Sequence, residues 1–268
     1  MTTPETNDSP LLLTRDGRVA TLTLNDAPMN RMSLDFIDKL EVLMPELDAD
    51  PTVGAVVITA AGDQNFSVGM NLKQLPSGIK QKGSAEAVFD QRLRVIEHIE
   101  TMSKPVIAVL YGYCLGGGLE LPLGCHFRLA AEEGAKIGLP EMDLGTVPAW
   151  GGSARLTQLV GPAHALDMIL RAKKVSGPEA LRIGLVNEVW PNAELQQRAQ
   201  ALAHELAAMP ALAVAEILRA ITGVGRDVLA ARIAAERAAV NATMGTQDQL
   251  EGMRAFMEKR PPIFNADS

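Results

Sequence analysis

Between Lys104 and Pro122 the chain reads KPVIAVLYGYCLGGGLELP, a run that few folds can accept. Pro105 to Leu110 is apolar and rich in β-branched residues, and Gly112 closes it, the pattern of a short strand buried on both faces. Gly116, Gly117 and Gly118 follow and lead into Leu119-Glu120-Leu121. A strand that enters a helix through glycines leaves the first helical N–H groups without carbonyl partners. No side chains cover those donors, and the helix dipole favours negative charge beside them. Glu120 is the one carboxylate between Lys104 and His126. Bare amide donors next to a lone carboxylate suit chemistry that makes an oxyanion and moves a proton. The alternative is that the glycines only ease packing of helix on strand and Glu120 reaches solvent.

Composition narrows the class. The 268 residues carry a net charge of −7, which argues against a protein that wraps nucleic acid along a basic face. An anionic ligand is still compatible, because local lysines and helix starts hold phosphate within acidic proteins. Cys114 and Cys125 are the only cysteines, too few for a disulfide scaffold or a multi-thiolate metal site. Cys114 reads as a small buried hydrophobe rather than a nucleophile. The histidines at 98, 126, 164 and 204 form no HxH or HExxH cluster, so no metal is expected. The opening MTTPETNDSP has no Lys or Arg, unlike a signal or transit peptide, and no apolar run reaches membrane-spanning length. A soluble, cytoplasmic protein is the expectation, with no membrane and no nucleic-acid partner.

In chain order, residues 1–10 read as disordered. Asp16-Gly17 between Leu11–Thr14 and Arg18–Leu24 signals a hairpin. Ser33 reads as the N-cap of a helix that Pro45 should kink or end. Residues 53–60 read as a second buried strand, and Ser84 as the cap of a helix with Val88, Phe89, Leu93, Ile96 and Ile99 on its apolar face. Phe127–Ala131 and Lys136–Gly138 are short strand candidates, and a loop runs from Leu139 to Gly152. From Ser153 onward the alanine-rich sequence predicts helices alone. Spacing rules out the serine-hydrolase elbow, the dinucleotide fingerprint and the phosphate-binding P-loop, since GxSxG, GxGxxG and GxxxxGK[ST] are all absent from the positions that would need them.

Four stretches, AAGDQNFSVGMNLKQL (60–75), KPVIAVLYGYCLGGGLEL (104–121), KIGLPEMDLGTVPAWGGSARL (136–156) and EGMRAFMEKR (251–260), together resemble the enoyl-CoA hydratase/isomerase (crotonase) family, in the family's order and over most of the chain. The resemblance implies an α/β fold, a crotonase-like spiral of ββα units over residues 11–195. A C-terminal helical region, 196–268, would build trimers, often paired into hexamers. The substrate would be an acyl-CoA thioester, with coenzyme A part of the substrate and no separate cofactor.

By the same resemblance, the thioester oxygen would sit between the backbone N–H groups of Met70 and Gly117, and the family glutamates fall on Glu120 and Glu141. Lys73 and Lys259 match positions near the CoA phosphates, with Phe256 and Lys259 reaching a neighbouring subunit's ligand. The Asn30-Arg31-Met32 turn matches the loop that borders the adenine, and Met29, Asn30 and Arg31 are expected substrate contacts there. Gly116, Asn71, Leu72, Ala149 and Trp150 complete the expected substrate contacts. Several residues depart from the family pattern: Met70 and Asn71 beside the oxyanion site, Tyr111 where Asn is common, and Ala149-Trp150 where small residues border the acyl pocket. Trp150 either shapes that pocket or faces the core.

The expected reaction is addition of water to a 2-enoyl-CoA. It places charge on the thioester oxygen, which fixed amides stabilise, and needs one group to activate water and another to protonate Cα. Glu120 is expected in the first role and Glu141 in the second. Isomerisation of the double bond, another acyl-CoA reaction on the same fold, and a catalytically silent CoA-binding role are the alternatives.

Overall fold

The computed structural model describes residues 8–265. A hairpin opens the chain: β1 (Leu11–Asp16) and β2 (Val19–Leu24) run antiparallel, with Asp16 opposite Val19. Helix α1 (Leu34–Ala49) and strand β3 (Ala55–Ala60) follow. Next come α2 (Leu75–Lys82), α3 (Ala85–Thr101), β4 (Val106–Leu110), β5 (Tyr113–Leu115) and α4 (Gly117–Leu123). Then β6 (Phe127–Ala131), β7 (Lys136–Gly138), α5 (Gly152–Leu170), α6 (Gly177–Arg182) and β8 (Glu188–Trp190) complete the sheet region. The chain ends in α7 (Asn192–Ala207), α8 (Ala211–Thr222), α9 (Arg226–Thr243) and α10 (Gln247–Glu258).

The main sheet has the order β1-β2-β3-β4-β6-β8, parallel from β2 onward. Its middle strands are buried along their whole length, as parallel strands covered on both faces must be. A second row of pairings lies beyond it: Met32 with Met70, Ser67 with Cys114, Cys114 with Ile137 and Ile137 with Val175. Strands β2, β3, β4 and β6 each hand the chain to a short segment in this row, at Met32, at Ser67 and Met70, at β5 and at β7, before a helix returns it. The chain winds as a stack of strand–strand–helix turns, the spiral that the sequence led us to expect.

Local signals account for much of this. Ser33 and Ser84 cap α1 and α3 by accepting from the amides of Phe36 and Ala87. Helix α1 nonetheless continues through Pro45. An interior proline costs about 3 kcal/mol. Phe36, Ile37, Leu40, Met44 and Leu47 are buried along α1, and side chains of this kind contribute roughly 1.5–3 kcal/mol each. The anchored face outweighs the missing hydrogen bond.

Other expectations need correction. Strand β8 interrupts the region predicted as helix alone; three residues of Glu-Val-Trp are too short to show a period. Helix α7 lies across the sheet with Leu195, Ala199, Ala203 and Ala207 buried, so the expected boundary at 195/196 cuts a core helix in two. The sheet-bound unit extends through Ala207. The apolar face assigned to α3 shifts, because Gln91 and Arg92 are buried while Phe89 and Leu93 are only half-buried. Of the segment expected to be disordered, residues 1–7 lie outside the described residues. Ser9 is buried, its hydroxyl bonded to the Leu11 carbonyl and to Lys39 Nζ. Among the described residues no single helix is long and apolar enough to cross a membrane.

Candidate active site

The glycine turn after β5 brings two chain segments into contact. A methyl group on Gly69 would lie 3.0 Å from the Gly117 nitrogen, and one on Gly118 would lie 2.3 Å from the Ser67 carbonyl oxygen. Only residues without Cβ allow this approach. Met32 donates to the Gly69 carbonyl and Asn71 donates to the Met32 carbonyl, which fixes the loop carrying Met70. The Met70 amide itself, and that of Gly117 at the first position of α4, donate to no acceptor among the described residues.

Two carboxyls flank this turn. Glu120 is 3 % exposed, and its Oε1 accepts from the amides of Trp150 (2.8 Å) and Gly152 (3.1 Å). Both of these bonds fall on Oε1, and no hydrogen bond reaches Oε2 among the described residues. Glu141 begins a short 3₁₀ turn, Glu141–Leu144, and its Oε1 would lie 2.9 Å from a Cβ on Gly116. The residue is half-buried, but its Oε2 is shut away from solvent with no hydrogen-bond partner among the described residues.

Burial raises the pKa of both groups. Desolvation acts first on Glu120, and the negative charge of Glu141 adds to it. Desolvation likewise pushes Glu141 up to about 7. Two such carboxyls resist ionising together, so the pair keeps a proton at a pH where isolated carboxyls have lost theirs.

Trp150 is 3 % exposed, and its ring stands against the turn: a methyl on Gly117 would lie 2.2 Å from Cζ3 and 2.5 Å from Cη2. The two readings of this residue therefore merge, since the ring is buried and borders the free amide. Behind it the Arg92 guanidinium lies 5.5 Å from the ring centroid and donates through Nη1 to the Val88 carbonyl. Burial lowers the Arg92 pKa to about 10. Arg155 holds the Trp150 carbonyl through Nη1 (3.2 Å) and pairs with Glu100 through Nη2 (3.2 Å).

Sequence reasoning missed a third carboxylate. Glu236, from α9, is 6 % exposed; its Oε1 accepts from the Gly151 amide (2.6 Å) and its Oε2 from the Ser153 amide (2.7 Å) and hydroxyl. One sign of it was present: Glu236 falls on the stripe that buries Leu229 and Val240. A charged residue at an apolar position of an amphipathic helix is rarely idle. Cys114 is fully buried, which drives its thiol pKa upward and keeps it protonated, as befits a core residue. Tyr111 is also structural; its hydroxyl donates to the Ala60 carbonyl (2.6 Å).

The expected CoA contacts divide. Asn30 is wholly buried, with Nδ2 donating to the Ala61 and Asn65 carbonyls and Oδ1 accepting from Asp26. Its side chain shapes the turn from within. Arg31 forks onto Asp26 at 2.7 and 3.1 Å, and Met29 is exposed. Leu72 and Asn71 are half-buried at the start of the turn that carries Lys73, and Ala149 is half-buried beside Trp150. Lys73, Phe256 and Lys259 are exposed, and neither lysine forms an ion pair among the described residues. Helix α10 is seated on the turn that carries Glu141: methyls on Gly145 and Gly252 would strike Asp248 and Leu144.

The spiral of turns with its second row of pairings defines a crotonase-fold protein. A crystal structure of an enoyl-CoA hydratase from Mycobacterium avium subsp. paratuberculosis K-10 superimposes with a TM-score of 0.84 at 27% identity, covering 95% of this chain and 98% of that one. A sequence profile of the enoyl-CoA hydratase/isomerase family matches residues 14–267. A probable enoyl-CoA hydratase of Bacillus subtilis is 34% identical over 94% of this chain and 97% of its own length. The short-chain-enoyl-CoA hydratase of Clostridium acetobutylicum is 34% identical over 93% and 95%. The chain belongs to the enoyl-CoA hydratase/isomerase family.

Proposed function

We propose that this protein is a 2-enoyl-CoA hydratase. The observation that carries the reading is the placement of two enclosed carboxyls, Glu120 and Glu141, around a glycine turn that leaves the Met70 and Gly117 amides unpaired. The thioester oxygen accepts from those two amides. Water, held by Glu120 through Oε2, loses a proton as its oxygen bonds to Cβ. The double-bond electrons pass to the thioester oxygen, and the resulting enolate collapses as Cα takes a proton from Glu141. No separate cofactor enters this scheme, since coenzyme A arrives with the substrate.

The two amides gripping Glu120 Oε1 oppose the larger upward push that burial and Glu141 exert on its pKa. The pair shares one proton, which this reading places on Glu141 and leaves Glu120 to receive the one from water. Glu141, whose Oε2 has no partner, suits the group that starts protonated. The presence of both carboxyls favours hydration over isomerisation. Met29, Arg31, Asn71, Leu72 and Lys73 would border the CoA portion. Exposed Phe256 and Lys259 would reach a neighbouring copy's ligand in a homotrimer or a hexamer. Exposed apolar residues on α8 and α9, among them Leu212, Ile217, Ile221 and Val228, support such an assembly. The same reading puts the enzyme in the cytoplasm, in keeping with its acidic composition.

Loss of the enoyl absorbance across a panel of 2-enoyl-CoA and 3-enoyl-CoA substrates tests the assignment. The 2-enoyl thioesters should be hydrated. Turnover confined to the 3-enoyl compounds would make the protein an isomerase instead. Within the same assay, Trp150→Ala should extend the range of acyl lengths accepted, because the ring limits space beside Gly117. An unchanged length profile would show that the ring does not bound the acyl site.

A further inference from the structure

Glu236 has no place in the hydration scheme above, yet it is bound to the site by three hydrogen bonds. It belongs to α9, far along the chain from the glycine turn, and it grips Gly151 and Ser153 on either side of Gly152. The amide of Gly152, and that of Trp150 just before the gripped pair, are the two donors that hold Glu120 Oε1. One carboxylate thus fixes a loop whose alternate amides fix another. Gly151 has φ +84°, which glycine adopts readily, and at this turn its amide points toward α9 while the amides on either side of it reach Glu120.

We infer that Glu236 is a positioning residue of the active site: by clamping the 150–153 loop it sets the orientation of Glu120 and the seat of Trp150 against Gly117. The C-terminal helical region is then part of the catalytic apparatus of its own subunit as well as a surface for assembly. This inference rests on the hydratase reading for its kinetic consequences, though not for its structural one.

The electrostatic setting points the same way. Glu236 faces Glu120 from α4 and Glu141 from the 3₁₀ turn; burial raises its own pKa against the donors that hold it, and its ionised form opposes ionisation of both. The cations nearby are engaged elsewhere: Arg155 of α5 with Glu100 and the Trp150 carbonyl, Arg92 of α3 over the Trp150 ring, and Arg237 of α9 with Asp90. Removing the Glu236 charge should therefore lower the pKa of the Glu120–Glu141 pair, so the alkaline limb of activity moves to lower pH.

The test compares Glu236→Gln and Ser153→Ala with the parent enzyme, each also made with Trp190→Phe so that Trp150 is the sole tryptophan. Glu236→Gln keeps the shape but gives the Ser153 amide an N–H₂ group to face, so the clamp opens. Displacement of a reacting group by about 1 Å can cost 10²-fold. We expect kcat on a 2-enoyl-CoA to fall roughly 10- to 100-fold on that ground, with KM little changed and the alkaline limb displaced downward. Ser153→Ala removes one bond and no charge; it should lower kcat less and leave the limb in place. Acrylamide should quench Trp150 more readily in Glu236→Gln than in the parent, a readout that needs no substrate. A parent enzyme inactive on every enoyl-CoA would reject the hydratase reading while the quenching still judged the clamp. Unchanged quenching in both variants, or a kcat deficit in Glu236→Gln that vanishes on cooling with the pH limb unmoved, would overturn the inference.

Discussion

Glu141→Gln should abolish hydration of crotonyl-CoA, lowering kcat by roughly 10²–10⁴-fold, the contribution of a positioned acid–base group, while CoA-ester binding persists. The amide keeps the volume and the hydrogen-bonding oxygen beside Gly116 but has no proton to give to Cα. The parent enzyme should show a bell-shaped profile. Its alkaline limb falls as pH passes the region near 7 where Glu141 gives up its proton, and its acid limb falls where the pair takes up a second one. The substitution should also change stability in a pH-dependent way. Because burial holds the folded-state pKa of Glu141 above its unfolded value, the protonated group favours folding at low pH, and that advantage is lost as pH rises through about 7. Glu141→Gln should accordingly raise Tm relative to the parent at pH 8 and do so less at pH 5. Steady-state rates, a binding titration and thermal melts at both pH values check all three. Unaltered turnover would remove Glu141 from the mechanism.

Gly117→Ala is the second large effect. The new methyl would lie 2.2 Å from Trp150 Cζ3, so either the ring or the turn must move. If the turn gives way, the Gly117 amide no longer points at the thioester oxygen. Loss of one such donor costs about 2.7–4 kcal/mol, or 10²–10³ in kcat. Combining the change with Trp150→Ala removes the obstruction, because Gly117 itself lies outside the positive-φ region and tolerates a side chain. The double variant should recover most of the activity that Gly117→Ala loses. Failure of that rescue would mean that the alanine, and not the ring behind it, disturbs the amide.

How far the sequence reached depended on how local each feature is. The buried strands at 55–60 and 106–110 and the caps at Ser33 and Ser84 rest on neighbouring residues, and they were legible. The glycine turn and Glu120 were legible for the same reason. Glu141 carried no signal of its own in a Pro-Glu step, and only the resemblance among four separated stretches singled it out. What escaped was set by tertiary packing. Gln91 and Arg92 are buried because α1 and Trp150 cover them, so the hydrophobic period of α3 pointed to other positions. The side chain of Asn30 turns inward to hold the carbonyls of Ala61 and Asn65, a role that no pattern in its own turn reveals. Glu236 lies far from Gly151 along the chain and could be tied to the site only by the fold.

The seating of α10 on the turn that carries Glu141, through close approach at Gly145 and Gly252, bears on how the enzyme comes into being. The turn holding Glu141 is buttressed only once α10 has emerged and docked, so a nascent chain would have to expose that helix before it could turn over substrate.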